Sequence, residues 1–365
     1  MTEPTVSNGS IEELRKVIDA TDAELFGLLE KRAKLARSIG KLKAAGAVYK
    51  PEREREIFER TVARAKTEGT LMSEEAIRSI VREIISACRA VEAMPRVAFL
   101  GPRGTFTEEA AIRQFGSSIK ALPCGSLDEV FHEAASGTAD FAVVPVENST
   151  EGIVTRTADL LLTTPLKVIG EVNVAVHHNL MNRSGKREDI VEVHAHPQAL
   201  AQCRLWLMTH LPQAKLVPSS SNAQAAKEAT ADPKVAALAA ERAAALYELH
   251  IAAHAVEDDP RNCTRFLVLG KESCGKAQNV LHKTSLIFSV PNRAGALLDA
   301  LAPFAKYKVS MVRLESRPAR NGAWDYNFYV DVDGHIEDEP ISKAVEELGQ
   351  IALYLKILGS YTAAY

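Results

Sequence analysis

Residues 96–112 read RVAFLGPRGTFTEEAAI. An apolar run enters Gly101, Pro102 and Gly104, and a helix-forming segment opens at Thr105–Thr107. That order spells a strand, a tight turn and a helix start. It recurs downstream. FAVVPVENS (141–149) and VIGEVNVAVH (168–177) read as strands, while VHAHPQALAQCRLWL (193–207) and SSSNAQAAKEA (219–229) each enter a helix from a polar turn. Strands alternating with helices predict an α/β region with largely parallel sheets. Residues 95–275 are numerous enough for two lobes. No GK[ST] follows Gly104, so a nucleotide P-loop is not supported. Backbone N–H groups at such a helix start nevertheless suit an anion.

Toward the N-terminus the texture is helical. Ile11, Leu14, Ile18, Leu25, Leu28, Leu35, Ile39 and Leu42 fall in a heptad, with Thr21 and Arg32 at the remaining seam positions. This predicts one long helix over 11–45. GAVYKPE (46–52) breaks it, and Pro51 can start a second helix. GTLMSEE (69–75) breaks again, with Ser73 as N-cap of a third helix that should bury Ile77, Val81, Ile84 and Cys88. Three helices are too few for a core of their own, so a homodimer or larger homo-oligomer is expected. Arg32 is a permanent cation where the seam wants leucine. It must meet an anion or reach solvent. Arg15, Lys43 and Arg53 lie near it in the pattern, and such a set can hold a small dianion. Cys88 and Glu92 stand one turn apart on one face.

Toward the C-terminus, ESCGKAQNV (272–280) is a polar linker. KTSLIFSV, VSMVRLESRP, YNFYVDV and LYLKILGS then read as strands, with helices over RAGALLDALAPFAKY and EPISKAVEELGQI. The order βαββαβ is the ferredoxin-like arrangement.

The totals agree with several modules. The 365 residues carry a net charge of -3, which recruits neither nucleic acid nor an anionic membrane. No apolar run is long enough to span a bilayer. MTEPTVSNGS lacks the segments of a signal peptide. Five scattered cysteines show no zinc spacing. A reduced, cytoplasmic protein is expected. His194 and His196 share strand parity as metal ligands might, but no third ligand accompanies them, and His196 before Pro197 reads as a turn residue. No metal is expected.

LRKVIDATDAELFGLLEKRAKLARSIGKLK (14–43) followed by REREIFERTV (53–62) resembles the all-helical chorismate mutase family. The resemblance implies an intertwined dimer of three-helix chains and a pericyclic rearrangement. That reaction needs a compact substrate conformer and stabilised charge rather than a nucleophile. The resemblance puts the family's cationic pocket on Arg15, Arg32, Lys43 and Arg53, with a carboxylate at Glu54. Three positions depart from the family pattern: Lys50 where aspartate is common, Cys88 where serine is frequent, and Glu92 where a glutamine donates to the ether oxygen. Glu92 has to carry a proton to take that donor role.

GPRGTFTEEAA, VPVENSTEG, HPQALAQC, SSNAQAA and NCTRFLVLG (262–270) occur in this order and together resemble prephenate dehydratase. The implied fold is two α/β lobes similar to periplasmic binding proteins, with the substrate between them and no cofactor. The turns offer Thr105, Asn148, Ser149 and Ser221 to the substrate. The resemblance assigns the catalytic role to Thr264, whose hydroxyl can hydrogen-bond a departing hydroxide. By strand parity Thr264 shares a face with Phe266 and Val268, whereas Cys263 and Arg265 face the other way. Arg265 either binds a substrate carboxylate or braces the strand. Cys263 has no activating partner in the sequence pattern.

GALLDALAPFAKYKVSMVRLESRP (295–318) resembles the ACT domains of amino-acid biosynthetic enzymes. This implies phenylalanine as an allosteric inhibitor, held by Gly295, Ala296, Leu297 and Leu298 and by Glu315, Ser316, Arg317 and Pro318. The expected modules are thus 1–94 (helical chorismate mutase), 95–275 (two-lobed α/β dehydratase) and 280–365 (α+β ferredoxin-like ACT), in the order of the bifunctional chorismate mutase/prephenate dehydratase family. Chorismate and prephenate are the implied substrates. Two other readings stay open: a dehydratase whose helices only dimerise, and a two-lobed solute-binding or sensory protein.

Overall fold

A computed structural model describes residues 10–42, 49–278, 280–318 and 326–364. The first segment holds α1 (Ile11–Leu42), α2 (Pro51–Glu68) and α3 (Glu74–Glu92). Pro51 opens α2, where its missing N–H costs nothing. Ser73 caps α3 by accepting from the Ala76 N–H at 3.2 Å. No residue of α1 is buried, and all eight apolar heptad residues are exposed. α3 buries Ile77, Ile85 and Cys88 together with Ser86 and Arg89, while Val81 and Ile84 are only partly covered. The buried face is rotated from the expected one because α3 packs on the next module: Ser86 Oγ accepts from Ser118 N at 3.0 Å.

Lobe one contains β1 (Arg96–Leu100), α4 (Phe106–Phe115), β2 (Lys120–Cys124), α5 (Leu127–Ser136), β3 (Phe141–Asn148), β4 (Gly152–Ile153), α6 (Thr155–Thr163) and β5 (Lys167–Ala175). The chain then crosses to lobe two. It comprises β6 (Asn179–Asn182), β7 (Glu192–Ala195), α7 (Pro197–Gln202), α8 (Arg204–His210), β8 (Lys215–Pro218), α9 (Asn222–Ala229), β9 (Val235–Ala239), α10 (Glu241–Tyr247) and β10 (His250–Ala253). β11 (Cys263–Gly270) returns to lobe one between β3 and β5.

The sheets are mixed, not largely parallel. β1 pairs parallel with β2 and β3, but β11 runs antiparallel to both β3 and β5. In lobe two, β7 is parallel to β8 and β9, while β6 is antiparallel to β9 and β10. The reason is the double crossing: β5 leaves lobe one and β11 re-enters it beside β5 in the opposite direction. Alternation of strands and helices does not encode that reversal.

The last module is β12 (His282–Ser289), α11 (Ala296–Lys306), β13 (Met311–Pro318), β14 (Tyr326–Asp333), α12 (Glu339–Ile351) and β15 (Tyr354–Thr362). Its sheet is antiparallel in the order β13-β14-β12-β15, which is the expected ferredoxin-like pattern. One face holds its own core with α11 and α12 around Phe288, Phe304 and Leu348. The other face lies on lobe one. Ile287, Tyr329, Leu358 and Tyr361 share an apolar cluster with Leu267 and Leu269 of β11. Gly359 permits this approach, since a Cβ there would collide with the Val168 carbonyl of β5. Among the described residues no helix is long and apolar enough to cross a membrane.

Candidate active sites and their coupling

β11 carries Thr264 at the end of lobe one nearest the crossing. Parity holds as expected. Phe266 and Val268 pack with Val97, Phe99 and Phe115 on one face, while Leu267 and Leu269 join the cluster on the other. The pairing places Thr264 opposite Asn148 of β3. Asn148 Nδ2 donates to Thr264 Oγ1 at 2.8 Å and to Asn262 Oδ1 at 2.8 Å. Its Oδ1 accepts from Thr150 N at 3.0 Å and Glu151 N at 3.1 Å, which folds the loop after β3. Ser149 closes the same corner: its Oγ accepts from Cys263 N at 3.0 Å. Two of the expected residues, Asn148 and Thr264, therefore meet directly, and Ser149 joins them through the Cys263 backbone. Because Thr264 Oγ1 already accepts from Asn148, its O–H remains free to donate. Burial pushes the Cys263 thiol up against the pull of Arg113, so a thiolate is disfavoured there.

Thr105 and Ser221 are helix caps in the two lobes. Thr105 Oγ1 accepts from Glu108 N at 3.3 Å, and Ser221 Oγ accepts from Gln224 N at 3.0 Å. Glu108 joins this turn without having been expected there, although Thr105-x-x-Glu108 has capping-box spacing. Its side chain is only 1% exposed. It accepts from Gly104 N at 2.6 Å and Arg103 Nε at 2.9 Å, and from Arg242 of α10 in lobe two at 3.3 Å. Burial pushes its carboxyl up, but the Gly104 N–H, Arg103 and Arg242 outweigh this and hold it below the ordinary range. Glu108 thus ties the lobes together beside the Thr105 turn. Gly104, at φ +85°, sits 3.4 Å from Ala243 in that contact as judged from an added Cβ. His178 lies at the crossing, its ring 5.7 Å from that of Phe106 and its Nε2 2.9 Å from Gln202 Oε1. Burial pushes its imidazole down, which favours the neutral ring.

Arg265 faces away from Thr264, toward β5 and the last module. It is 14% exposed and is held by Glu171 at 2.7 Å and Asp331 at 2.6 Å. A third bond runs from Nη2 to Tyr361 Oη at 3.0 Å. Burial alone would push its pKa down, but Tyr361, Asp331 and Glu171 more than offset this. Asp331 and Tyr361 belong to the last module, so these bonds tie β11 to that module, the bracing arrangement of the two expected for Arg265. A second link runs beside it, from Arg313 of β13 to Glu147 at 2.9 Å, the residue before Asn148.

In the helical module Arg32 and Arg53 turn to separate partners. Arg15 is exposed on α1. Arg32 donates to the Ile84 carbonyl at 3.4 Å. Arg53 is exposed and pairs with Glu56 at 2.9 Å. Lys43 lies outside the described residues. Glu92 packs on Gly40, where an added Cβ would meet its side chain. Cys88 is buried beside it on the same helix, and Lys50 is the exposed cap of α2. Glu54 turns to Arg89, and burial pushes its carboxyl up against the pull of Arg89 and Arg32. Arg89 was missed. It is buried between the Tyr49 and Phe115 rings, at 5.2 and 5.7 Å, and also donates to the Phe115 carbonyl. A cation inside the Ile85–Cys88 stripe was its available signal.

In the last module Gly295 adopts φ +79° before α11, a conformation that favours glycine. Ala296 is buried, Leu297 partly so and Leu298 exposed. Glu315, Ser316, Arg317 and Pro318 end the edge strand β13, and Arg317 approaches Asp159 of α6 at 3.8 Å. His194 is held by Glu228 at 2.8 Å and Glu192 at 3.1 Å. Among the described residues no group of three or more His, Cys, Asp or Glu is placed to hold a metal.

Sequence models of known families match all three modules: chorismate mutase type II over residues 14–93, prephenate dehydratase over 97–274 and the ACT domain over 284–350. A bifunctional chorismate mutase/prephenate dehydratase from Neisseria gonorrhoeae is 44% identical over 97% of this chain and 99% of that protein. The Aquifex aeolicus counterpart is 42% identical over 97% of this chain and 98% of its own length. Among solved structures, a prephenate dehydratase from Arthrobacter aurescens in complex with L-Phe matches with TM-score 0.68 and 36% identity, over 73% of this chain and 90% of that one. Fold and matches together define a three-module enzyme, an isomerase and a carbon–oxygen lyase joined to an ACT module. The chain belongs to the bifunctional chorismate mutase/prephenate dehydratase family.

Proposed function

We propose that Thr264 and Asn148 form the centre of the dehydratase site, and that the helical module rearranges chorismate to the prephenate this site consumes. The observation that supports the lyase chemistry most directly is the Asn148–Thr264 bond of 2.8 Å. In the dehydration, the carboxylate C–C bond breaks and its electron pair enters the ring. The ring C–O bond breaks, hydroxide leaves, and carbon dioxide and phenylpyruvate result. Thr264 donates a hydrogen bond to the departing oxygen. Asn148 fixes the direction of that hydrogen by occupying a lone pair. Ser149 and Ser221 supply further donors around the cleft, the Thr105 turn contributes its position while its hydroxyl donates to the Leu100 carbonyl at 3.2 Å, and aromatisation drives the step.

For the isomerisation, Arg15, Arg32, Lys43 and Arg53 hold the dianion, with Glu54 and Cys88 lining the pocket and Glu92 as donor to the ether oxygen. The exposed heptad stripe of α1 supports a second copy as the missing half of this pocket. Glu92→Ala is expected to lower the mutase rate by about 10²-fold, whereas Glu92→Gln, whose amide can donate to the ether oxygen, is expected to retain it. A Glu92→Ala rate equal to the wild type removes Glu92 from the donor role.

Phenylalanine at the turn of Gly295–Leu298 and at Glu315–Pro318 inhibits the lyase through the last module. Incubation of the full chain with chorismate is expected to produce prephenate and then phenylpyruvate. Added phenylalanine should suppress the second product and let prephenate accumulate. Prephenate formation without phenylpyruvate in the absence of phenylalanine contradicts the assignment of the lyase.

A further inference from the structure

A cavity of about 210 Å³ lies where α2, α3, α4, β5 and the segment after β15 meet. Arg55 of α2, Arg78 and Arg82 of α3, and Arg113 of α4 all line it. The carboxylates in its wall are committed elsewhere. Glu54 pairs with Arg89, and Glu171 with Arg265 and Lys283. Glu59 is shared by Arg55 at 3.3 Å and Arg78 at 3.5 Å, and Arg78 also holds Glu74 of its own helix at 2.8 Å. Arg113 holds Glu109 on its own helix at 2.7 Å. Arg82 forms no hydrogen bond or ion pair with any described residue, and its nearest charges are Arg113, Glu83 and Arg78. Glu83 itself turns to the Ser117 N–H and hydroxyl.

Gathering guanidinium groups in a half-buried space is unfavourable unless a counter-anion joins them. Burial, with Arg78 adding to it, pushes Arg55 down to about 10 despite Glu59. Burial also lowers Arg82, with Arg113 and Arg78 adding to the effect. The forked donors of arginine match the oxygens of carboxylate and phosphate alike. The cavity is smaller than the roughly 300 Å³ at which ordinary small-molecule pockets begin, so its occupant is compact.

We propose that this cavity is a binding site for a small oxyanion, a phosphate or a short dicarboxylate, that pins the helical module to lobe one. None of Thr264, Asn148 and Ser149 lines it, although Arg113 in its wall is close enough to act on the Cys263 thiol. Of the described residues assigned to the mutase pocket only Glu54 reaches its wall, turned toward Arg89.

The test is titration calorimetry of the full chain with inorganic phosphate, malonate and chloride at fixed ionic strength. Saturable binding of phosphate or malonate, and not of chloride, is expected; the tighter of the two identifies the kind of anion. Arg82→Gln and, separately, the exposed Arg113→Gln should weaken it at least tenfold, while Arg32→Gln in the mutase pocket leaves it unchanged. No saturable heat with either oxyanion overturns the proposal. So does binding that survives both Arg82→Gln and Arg113→Gln, or that Arg32→Gln abolishes. Heat rather than turnover is read, so failure here leaves the catalytic assignment standing.

Discussion

Thr264→Ala is expected to lower dehydratase turnover by about 10²–10³-fold, the usual cost of removing one donor aimed at developing charge. The mutase rate should stay unchanged, because no contact of Thr264 reaches the helical module. The fold should survive as well. Asn148 loses one acceptor but keeps Asn262 Oδ1 at 2.8 Å and its loop-closing bonds to Thr150 and Glu151. A net loss of about 1 kcal/mol is the ordinary scale for one such bond. Thr264→Ser restores the hydroxyl and should restore most of the rate. The measurement is phenylpyruvate formation from prephenate, with prephenate formation from chorismate as the internal control. Loss of both activities in a folded Thr264→Ala chain is the result that sinks the assignment.

The second large effect is expected at the neighbouring position. Arg265→Met removes the cation that Glu171 and Asp331 share in the contact between lobe one and the last module. Lys283 still reaches Glu171 at 2.8 Å, but Asp331 keeps only the Ser285 hydroxyl. Breaking one side of a buried ion pair costs about 3–5 kcal/mol, and a fall in melting temperature on the order of 10 °C follows for units of this size. Asp331→Asn removes the opposite charge and should cost less, since an amide still accepts from Arg265. Phenylalanine inhibition is the second readout. If the two ionic links next to Asn148 and Thr264 carry the state of the last module into the site, Arg265→Met weakens inhibition more than it weakens turnover. Unchanged melting and unchanged inhibition in Arg265→Met would falsify the bracing role.

Local physics made much of this legible in the sequence. Ser73 is a cap because a hydroxyl before two glutamates answers orphan N–H groups. Thr264 could be separated from Arg265 by the period of a strand alone. The residues opposite Arg265 could not be read, because Glu171 and Asp331 lie 94 and 66 positions away and pair only through tertiary packing. Strand direction was equally hidden. The run Cys263–Gly270 looks the same whichever way it enters the sheet, and only the chain's return from lobe two makes it antiparallel. The rotation of α3 was invisible for a similar reason. Its heptad-like spacing fits Val81 and Ile84, yet Ser86 and Arg89 are the side chains that the end of α4 covers. The mutase cations were legible as residue types, but among the described residues Arg15 and Arg53 stay exposed and only Arg32 turns inward, to the Ile84 carbonyl.

The apolar cluster shared by Leu267, Leu269, Ile287, Tyr329, Leu358 and Tyr361 bears on how feedback control could be removed for production of aromatic compounds. Deleting the chain beyond β11 would strip the cover from the underside of the catalytic sheet and leave an oily, sticky flank. The shortened enzyme would trade insensitivity for precipitation. Replacing single side chains around Gly295, the turn proposed to hold phenylalanine, leaves that cover in place.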